Sequence, residues 1–259
     1  MSSYKILTKK RPERRLILSL KRKAGRGSSG RITVRHRGGG AKKLYRIVDF
    51  GQGKEGIKGK VLALEYDPYR TGFLALIEYQ DGEKRYILAP QNLKIEDGVI
   101  TAPKAEIKIG NRMQLENIPV GTDVFNIELM PGRGGKLAKG AGTGAKVLAQ
   151  EDGFTQLVLP SSEIRRVFKK CYATIGMVSR AEWKYTKIGK AGRSRLRGKR
   201  PTVRGSAMSA YAHPHGGGEG KAPIGLKHPK TPWGKPALGV KTRRRKITDK
   251  YIIQRRKKK

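Results

Sequence analysis

The excess positive charge of this chain is confined to its two ends, and this constrains the fold more than any other feature. Residues 1–46 carry 16 basic and 1 acidic side chains and residues 180–259 carry 25 and 3, whereas residues 47–179 carry 18 and 16. Like charges at this density repel each other and oppose a compact core unless a polyanion is bound. The near-neutral centre also holds most of the patterned apolar residues. We therefore expect a folded middle between two basic extensions.

The same balance indicates the class of partner and the compartment. With 59 Lys and Arg against 20 Asp and Glu, the formal net charge is +39, which favours RNA or DNA as the partner. The single cysteine, Cys171, excludes an intrachain disulfide and a cysteine-rich zinc finger, which suits a reducing compartment. The aliphatic run at residues 16–20 is too short for a signal peptide or a membrane span. We expect a soluble intracellular protein without membrane association.

The first half of the centre predicts an antiparallel β-meander. Apolar residues alternate over residues 61–66 and 73–79, which predicts two half-buried strands. Asp81-Gly82 is a strong hairpin signal. The later apolar positions expected to complete this barrel before Pro119 are Val99, Ile107, Ile109, Met113 and Leu115. A span of about 70 residues suits a five-stranded barrel of the OB type.

The second half of the centre predicts another small barrel, from residue 120 to 179. Short alternating segments at residues 124–129, 145–149, 155–159 and 164–168 predict its strands. A glycine-rich loop with three cations, residues 131–144, joins the first two predicted strands. Its Gly140-x-Gly142-x-x-Ala145 formally matches a dinucleotide fingerprint, but the flanking sequence predicts no βαβ unit, so we reject that function. The loop is either a flexible surface hairpin or a site where amides and cations meet phosphates.

Two glycine triplets lie in basic surroundings, Gly38-Gly39-Gly40 near the start and Gly216-Gly217-Gly218 after His213-Pro214-His215. Glycine permits positive φ and a close approach of the backbone to a partner. Residues 180–259 hold eleven glycines and six prolines, too many for a continuous core. The aromatic residues interleaved there with cations are Trp183, Tyr185, Tyr211 and Trp233. Each is either a packing anchor or a surface on which a base can stack.

A metal site or an acid-base site in this region has weak support. His213, His215, Glu219 and His228 are ordinary ligand types, but no cysteine joins them and cations surround them. Ala212 leaves His213 without a neighbouring carboxylate to orient it as a general base, and the nearby cations should favour its neutral form. Glu219 is suited to a salt bridge, to a nucleobase edge or to hydrated Mg²⁺. We expect no catalytic residue and no protein-bound metal.

Several motifs together point to one known family, and His213-Pro214-His215-Gly216-Gly217-Gly218-Glu219-Gly220 is the clearest of them. The others are residues 30–40, 45–50, 64–68, 81–90, 117–121, 189–192, 200–205 and 231–234. On these segments the chain resembles, over nearly its whole length, the universal large-subunit ribosomal protein number two in its bacterial or organellar form. The chain differs from the family pattern at Ala212, where an aspartate is usual, and at Ala41, where a histidine is usual.

The resemblance implies an all-β core, in which an OB-like barrel is followed by an SH3-like barrel, with long irregular basic extensions that enter rRNA. The domains we expect are an N-terminal extension at residues 1–43, an OB-like barrel at 44–119, an SH3-like barrel at 120–179 and a C-terminal extension at 180–259.

The resemblance also implies a structural constituent of the large ribosomal subunit, located near the peptidyl-transferase region. Its expected roles are subunit assembly, subunit association and tRNA binding, without catalysis and without a cofactor beyond Mg²⁺ held by rRNA. Its expected partners are 23S-type rRNA, neighbouring ribosomal proteins, nearby tRNA and the small subunit at the interface. The expected location is a cytoplasmic or an organellar ribosome. A nucleoid or histone-like DNA binder would share the charge, but it would use helices and dimerise; an rRNA-modifying enzyme would need a cofactor loop or an acid-base pair.

The residues expected to contact rRNA are cations, glycines, histidines, one aromatic residue and one glutamate of these segments. Those of the N-terminal extension are Arg35, His36, Gly38, Gly39, Gly40, Lys42 and Lys43. Those of the barrels are Arg85, Arg133, Lys136, Arg165, Arg166 and Lys169. Those of the C-terminal extension are Arg200, Arg204, His213, His215, Gly216, Gly217, Gly218, Glu219, Trp233, Lys241, Arg243, Arg244 and Arg245.

Overall fold

A computed structural model describes residues 3–8, 11–220, 222–241 and 246–256 of the chain. The chain divides into two compact units, each assembled from segments that are distant in sequence. The first unit comprises Met1–Lys21, Lys42–Lys187 and Thr248–Lys259. The second unit comprises Arg22–Ala41 and Ile188–Ile247. The basic residues of the two extensions therefore belong partly to a shared unit.

The first unit is built from short strands. They are β1 (Ile17–Leu18), β2 (Tyr45–Arg46), β3 (Gly59–Glu65), β4 (Leu74–Tyr79), β5 (Lys84–Leu88), β6 (Gly98–Val99), β7 (Arg112–Gln114), β8 (Asp123–Phe125), β9 (Ala145–Glu151), β10 (Phe154–Val158), β11 (Ile164–Phe168), β12 (Tyr172–Ile175) and β13 (Ile252–Gln254). Its 3-10 helices are Ser3–Ile6, Arg14–Leu16, Leu115–Asn117, Ala181–Tyr185 and Asp249–Tyr251. The expected all-β core is confirmed.

The first sheet contains the predicted antiparallel meander, in the order β5-β4-β3-β6. The β4–β5 hairpin turns where Asp81-Gly82 predicted it, with Gly82 at φ 77°. The expectation of half-buried strands was wrong for β4. Phe73, Ala75, Ile77 and Tyr79 pack in one apolar cluster, while Leu74 and Leu76 pack in another with Phe125 and Val178. Residues remote in sequence cover the second face, so the strand is buried on both sides.

The second sheet has seven strands in the order β13-β11-β10-β9-β8-β12-β7. The predicted turn at Asp152-Gly153 joins β9 to β10, with Gly153 at φ 80°. The β-like segment near the C-terminus forms β13, which pairs with the edge of β11. Residues 252–254 of the basic C-terminal segment thus form a strand of the first unit.

The chain leaves the first sheet well before Pro119. β7 falls within residues 44–119, the range expected for the OB-like barrel, yet it pairs with β12 in the seven-stranded sheet. Met113 and Leu115 accordingly pack with the core of the second sheet, whereas Val99 packs with the first. Ile107 and Ile109, expected in the core, are 55% and 44% exposed. The apolar pattern there comes from a surface connection between the sheets.

A buried ion pair lies inside the first unit. The strand predicted over residues 124–129 ends at Phe125, because Asn126 adopts φ 49° and turns the chain. The turn places Glu128 in the interior, where its Oε1 accepts a 2.9 Å hydrogen bond from Arg112 Nη2. Arg112 also donates to the Asn126 carbonyl oxygen at 2.8 Å. Burial lowers the pKa of Arg112, and Glu128 opposes that shift.

The second unit contains little regular structure in its described residues. It has one six-residue helix, α1 (Ala191–Leu196), and a 3-10 turn at Gly205–Ala207. Backbone hydrogen bonds between its two segments replace a sheet, and they join residues around Gly38 to residues around Gly198. This pairing brings both glycine triplets into one compact unit.

Candidate nucleic-acid interface

The second unit concentrates the positive charge of the protein. Its two segments contain 22 Lys and Arg residues and a single acidic residue, Glu219. Because charges at this density repel, the hydrogen bonds between the segments are needed to hold them together without a bound anion. The unit therefore presents a cationic surface on a short, locally ordered backbone.

The first triplet is paired with the C-terminal extension. The Gly38 N–H donates to the Gly198 carbonyl oxygen at 2.8 Å, and the Ala41 N–H donates to Leu196 at 2.8 Å. His36 accepts at its carbonyl oxygen from the Arg200 N–H, at 3.1 Å. Its Nδ1 lies 3.0 Å from the Pro201 carbonyl oxygen, so the ring carries its proton on Nδ1 when neutral.

The fold requires glycine at one position of the first triplet but not at another. Gly40 adopts φ 65°, and a Cβ there would meet the Leu196 carbonyl oxygen at 2.6 Å. Gly39 has no positive φ, and a Cβ there would meet nothing within 4 Å. Its carbonyl oxygen accepts a hydrogen bond from Arg22. The fold of the chain explains Gly40 but gives no reason for Gly39.

The histidine motif, His213-Pro214-His215, stabilises its own backbone conformation through hydrogen bonds to the two rings. His213 is 8% exposed, and its Nδ1 accepts a 3.0 Å hydrogen bond from the His215 N–H. The two rings lie 4.8 Å apart, and His215 Nε2 accepts from the Lys230 N–H at 2.8 Å. Burial lowers the pKa of His213, and His215 and Arg35 lower it further. The expected neutral ring is thus supported, with burial rather than neighbouring cations as the main cause.

The second triplet is packed tightly within the motif. A Cβ on Gly216 would collide with the Ser209 carbonyl oxygen, and one on Gly218 would collide with Ala222. Gly217 adopts φ 88°, and its Cβ would lie 2.8 Å from that of Ala210. These glycines are required by the turn itself. Glu219 is exposed and makes no ion pair within 4.0 Å among residues 222–241 or elsewhere in the described chain.

Trp233 and several cations of the second unit are exposed. The Trp233 ring is 75% exposed, and the Arg35 guanidinium carbon lies over it at 5.4 Å from the centroid. Arg200, Arg204 and Lys241 are also exposed. The predicted contacts Arg243, Arg244 and Arg245 lie outside the described residues.

The predicted cations of the first unit differ in their exposure to solvent and in whether an acidic residue already pairs with them. Arg133 and Lys136 are exposed on the glycine-rich loop, which is anchored because Gly135 packs against Asn126. Arg85 donates to Asp49 and to Glu83, each at 2.7 Å, and Glu83 with Asp49 raises its pKa although burial opposes this. The charge of Arg85 is already matched within the chain.

The remaining predicted cations of the first unit lie in or just after β11 and just before β2. Arg165 and Arg166 are half-buried in β11, and Arg166 contacts the Phe154 ring at 5.9 Å and the Lys250 carbonyl oxygen at 3.4 Å. The Lys169 carbonyl oxygen accepts from the Glu116 N–H. Lys42 is exposed, and Lys43 Nζ lies over the Tyr69 ring at 5.8 Å.

Two cations that the sequence did not single out lie beside Phe50. Lys139 Nζ is 4.2 Å and the Arg70 guanidinium carbon 5.2 Å from the centroid of this ring. Burial lowers the pKa of Lys139, with smaller effects from Arg70 and Lys136. Arg70 is paired with Asp67. The repeated lysines of the glycine-rich loop were the available sequence signal for Lys139, whereas nothing in the sequence near Phe50 indicated the cluster.

Other kinds of site find no support in the described part of the chain. No three His, Cys, Asp or Glu side chains there are placed to hold a metal ion. No helix among the described residues is long and apolar enough to cross a membrane.

Two family models match the chain. The one described as "Ribosomal Proteins L2, RNA binding N-terminal domain" matches residues 13–101, and "Ribosomal Proteins L2, C-terminal domain" matches residues 108–234. Both describe the same ribosomal protein, and the β architecture agrees with an OB-like barrel followed by an SH3-like barrel. The chain belongs to the ribosomal protein L2 family, whose members are structural, non-enzymatic, rRNA-binding constituents of the ribosome.

Proposed function

We propose that this protein is a primary binder of 23S-type rRNA in the large subunit, near the peptidyl-transferase region. There it supports subunit assembly, subunit association and tRNA binding, with neighbouring ribosomal proteins and the small subunit as further contacts. The family membership supports the ribosomal role, and the resemblance of the motifs supports the finer placement. Its contribution is structural, and no residue of the chain takes part in bond making.

The observation that carries this proposal is the composition of the second unit. Segments far apart in sequence pair there, and together they contain 22 cations, two glycine triplets and one acidic residue. Such a surface follows a phosphate backbone, and its short ordered turns suit the irregular grooves of folded RNA rather than a regular duplex. We assign the predicted cations, glycines and histidines of the second unit, within residues 35–40 and 200–245, to this contact.

The fold gives less support to a nucleoid DNA binder. The proteins that read DNA through the major groove usually place a helix there. The only α-helix among the described residues is α1, with 6 residues. Its length is about 9 Å at the usual rise, too short to present several side chains along a groove.

Crosslinking in living cells tests the proposal. The protein is crosslinked by ultraviolet light and purified under denaturing conditions, and both the attached nucleic acid and the crosslinked peptides are identified. We expect large-subunit rRNA, attached mainly to peptides from the second unit. Recovery of chromosomal DNA, or of many unrelated RNAs without rRNA enrichment, would contradict the proposed function.

A further inference from the structure

The exposed ring of Trp233 lies at the tip of a well-defined turn. Gly234 N–H donates to the Thr231 carbonyl oxygen at 2.9 Å, with Pro232 at the second position of the turn. A proline at the second position and a glycine at the fourth are typical of a type I turn. Lys235 N–H donates to Thr231 Oγ1 at 3.2 Å, and Thr231 N–H donates to the Lys235 carbonyl oxygen at 2.7 Å. The turn therefore fixes the backbone that bears the ring.

The base of this turn is tied to the histidine motif. The Ala237 N–H donates to the Pro229 carbonyl oxygen at 2.8 Å, which closes the turn. The next residue, Lys230, donates its N–H to His215 Nε2 at 2.8 Å. His215 in turn donates its N–H to the buried ring of His213. A continuous set of hydrogen bonds thus runs from the buried histidine to the turn that presents Trp233.

Arg35, from the other segment of the unit, covers one face of the ring. Its guanidinium carbon lies 5.4 Å from the ring centroid, within the range of a cation–π contact. No other aromatic ring stacks on Trp233 within the described residues. With 75% of its surface exposed, the ring keeps a flat apolar area open to a partner.

We propose that Trp233 is a stacking platform for one unpaired RNA base, backed by Arg35 and positioned by His215. This inference rests on the proposed function, because it names the part of the RNA that the second unit contacts. A base offers the flat π-face that fits an open indole, and only an unpaired base can present that face to a side chain. The surrounding cations hold the adjoining phosphates.

Tryptophan fluorescence gives a direct test. The chain has two tryptophans, so Trp183→Phe leaves Trp233 as the only reporter. The full-length variant is titrated with an oligouridylate of about ten nucleotides, an abasic ribose-phosphate oligomer of equal length, and an RNA duplex. Labelled RNA reports binding separately through its anisotropy. We expect quenching by the oligouridylate alone, although all three bind.

Affinity measurements add the second arm. Trp233→Ala should weaken binding of the oligouridylate by about 5- to 150-fold, the range for loss of one stacked base, and should leave the abasic oligomer unaffected. Trp233→Phe should retain most of the affinity. Leu238→Ala, at another exposed apolar residue of the unit (73%), is the matched control and should change nothing.

The positioning role of His215 predicts rescue by a conservative change. His215→Gln keeps an acceptor for the Lys230 N–H and should preserve quenching, whereas His215→Leu should reduce the quenching measured at saturating RNA. If RNA binds but its bases leave Trp233 fluorescence unchanged, or if the duplex or abasic oligomer quenches it equally, the stacking inference is wrong. If none of the three oligomers binds, the proposed function itself fails.

Discussion

At the scale of single residues, His213 is best explained as a support for its own backbone. Its Nδ1 accepts the His215 N–H, and its ring lies so close to Gly205 that a Cβ there would collide with it. A protonated ring would lose the acceptor, since both ring nitrogens then carry hydrogens. The neutral ring is therefore part of the folded arrangement around the second triplet.

We predict that the histidine motif loses stability as the pH falls below about 6.5, the ordinary value for histidine. The pKa of His213 is lowered in the folded state, so the unfolded state binds more protons in this window and stability falls with the pH. Amide hydrogen exchange at Gly216 and His215 between pH 5 and 8 measures this local stability. His213→Gln should reduce the pH dependence, and an unchanged dependence in this variant would contradict the assignment to His213.

The His213→Gln variant also tests whether His213 transfers a proton during peptide-bond formation. Ribosomes assembled with His213→Gln should perform single-turnover peptide transfer at close to the unmodified rate, because glutamine can still accept the His215 N–H. A loss of about 100-fold in fully assembled particles, the size expected for a general acid-base group, would show that the histidine moves a proton.

Arg112 is the second residue whose environment makes a clear prediction. Arg112→Leu should lower the free energy of unfolding by about 3–5 kcal/mol, because Glu128 then remains buried without its cation. Arg133→Leu, at an exposed arginine of the nearby loop, should change it by less than about 0.5 kcal/mol. Urea unfolding of the full chain measures both. Equal effects of the two variants would show that the buried pair has no special role.

At the scale of the turns, the glycines separate into those that the fold requires and those that it does not. Gly217→Ala should destabilise the second unit locally by about 1–2 kcal/mol, because an L-residue is strained at its positive φ and Ala210 lies close by. Gly39→Ala should leave stability unchanged, since its Cβ would point into open space. Hydrogen exchange reports the stability, and rRNA binding is measured alongside.

If Gly39 is a point of close approach to RNA, its alanine variant should bind rRNA more weakly although it folds normally. Gly53→Ala, at an equally open glycine of the first unit, is the control and should affect neither property. Normal rRNA binding by the Gly39 variant would remove this residue from the proposed contact.

Elements set by local sequence were the predictable part of the fold. The hairpin at Asp81-Gly82 follows from a turn signal between two alternating segments, and the turn at Asp152-Gly153 follows in the same way. The burial of both faces of β4 was not predictable, because Phe125 and Val178 cover the second face from distant parts of the chain. The positive φ of Asn126, which ends β8 early, was also not predictable, because the alternation of apolar residues continues through this position.

At the scale of the whole molecule, the charge distribution identified a near-neutral centre between two basic segments, but it did not indicate how those segments pair. The contacts of Gly38 with Gly198 and of His36 with Pro201 join residues about 160 positions apart. Periodicity and turn signals describe neighbours in sequence and contain no information on such pairing. The contact between Arg35 and Trp233 could not be predicted for the same reason, although each residue was predicted to contact rRNA.

The central claim is that the second unit binds the phosphate backbone of rRNA, and the salt dependence of affinity tests it most directly. Lys190, Arg195, Lys199, Arg200 and Arg204 are changed together to glutamine; the control changes Lys58, Lys60, Lys94, Lys104 and Lys108 of the first unit, an equal loss of exposed charge.

Affinity for purified large-subunit rRNA is measured across a range of salt concentrations. If about 10 phosphates are neutralised, log K should fall against log salt with a slope of about −7 to −9 for the unmodified chain. The second-unit variant should be less steep by about 4, and the control should keep nearly the full slope. A slope of about −2 for the unmodified chain, or the same flattening in both variants, would contradict the claim.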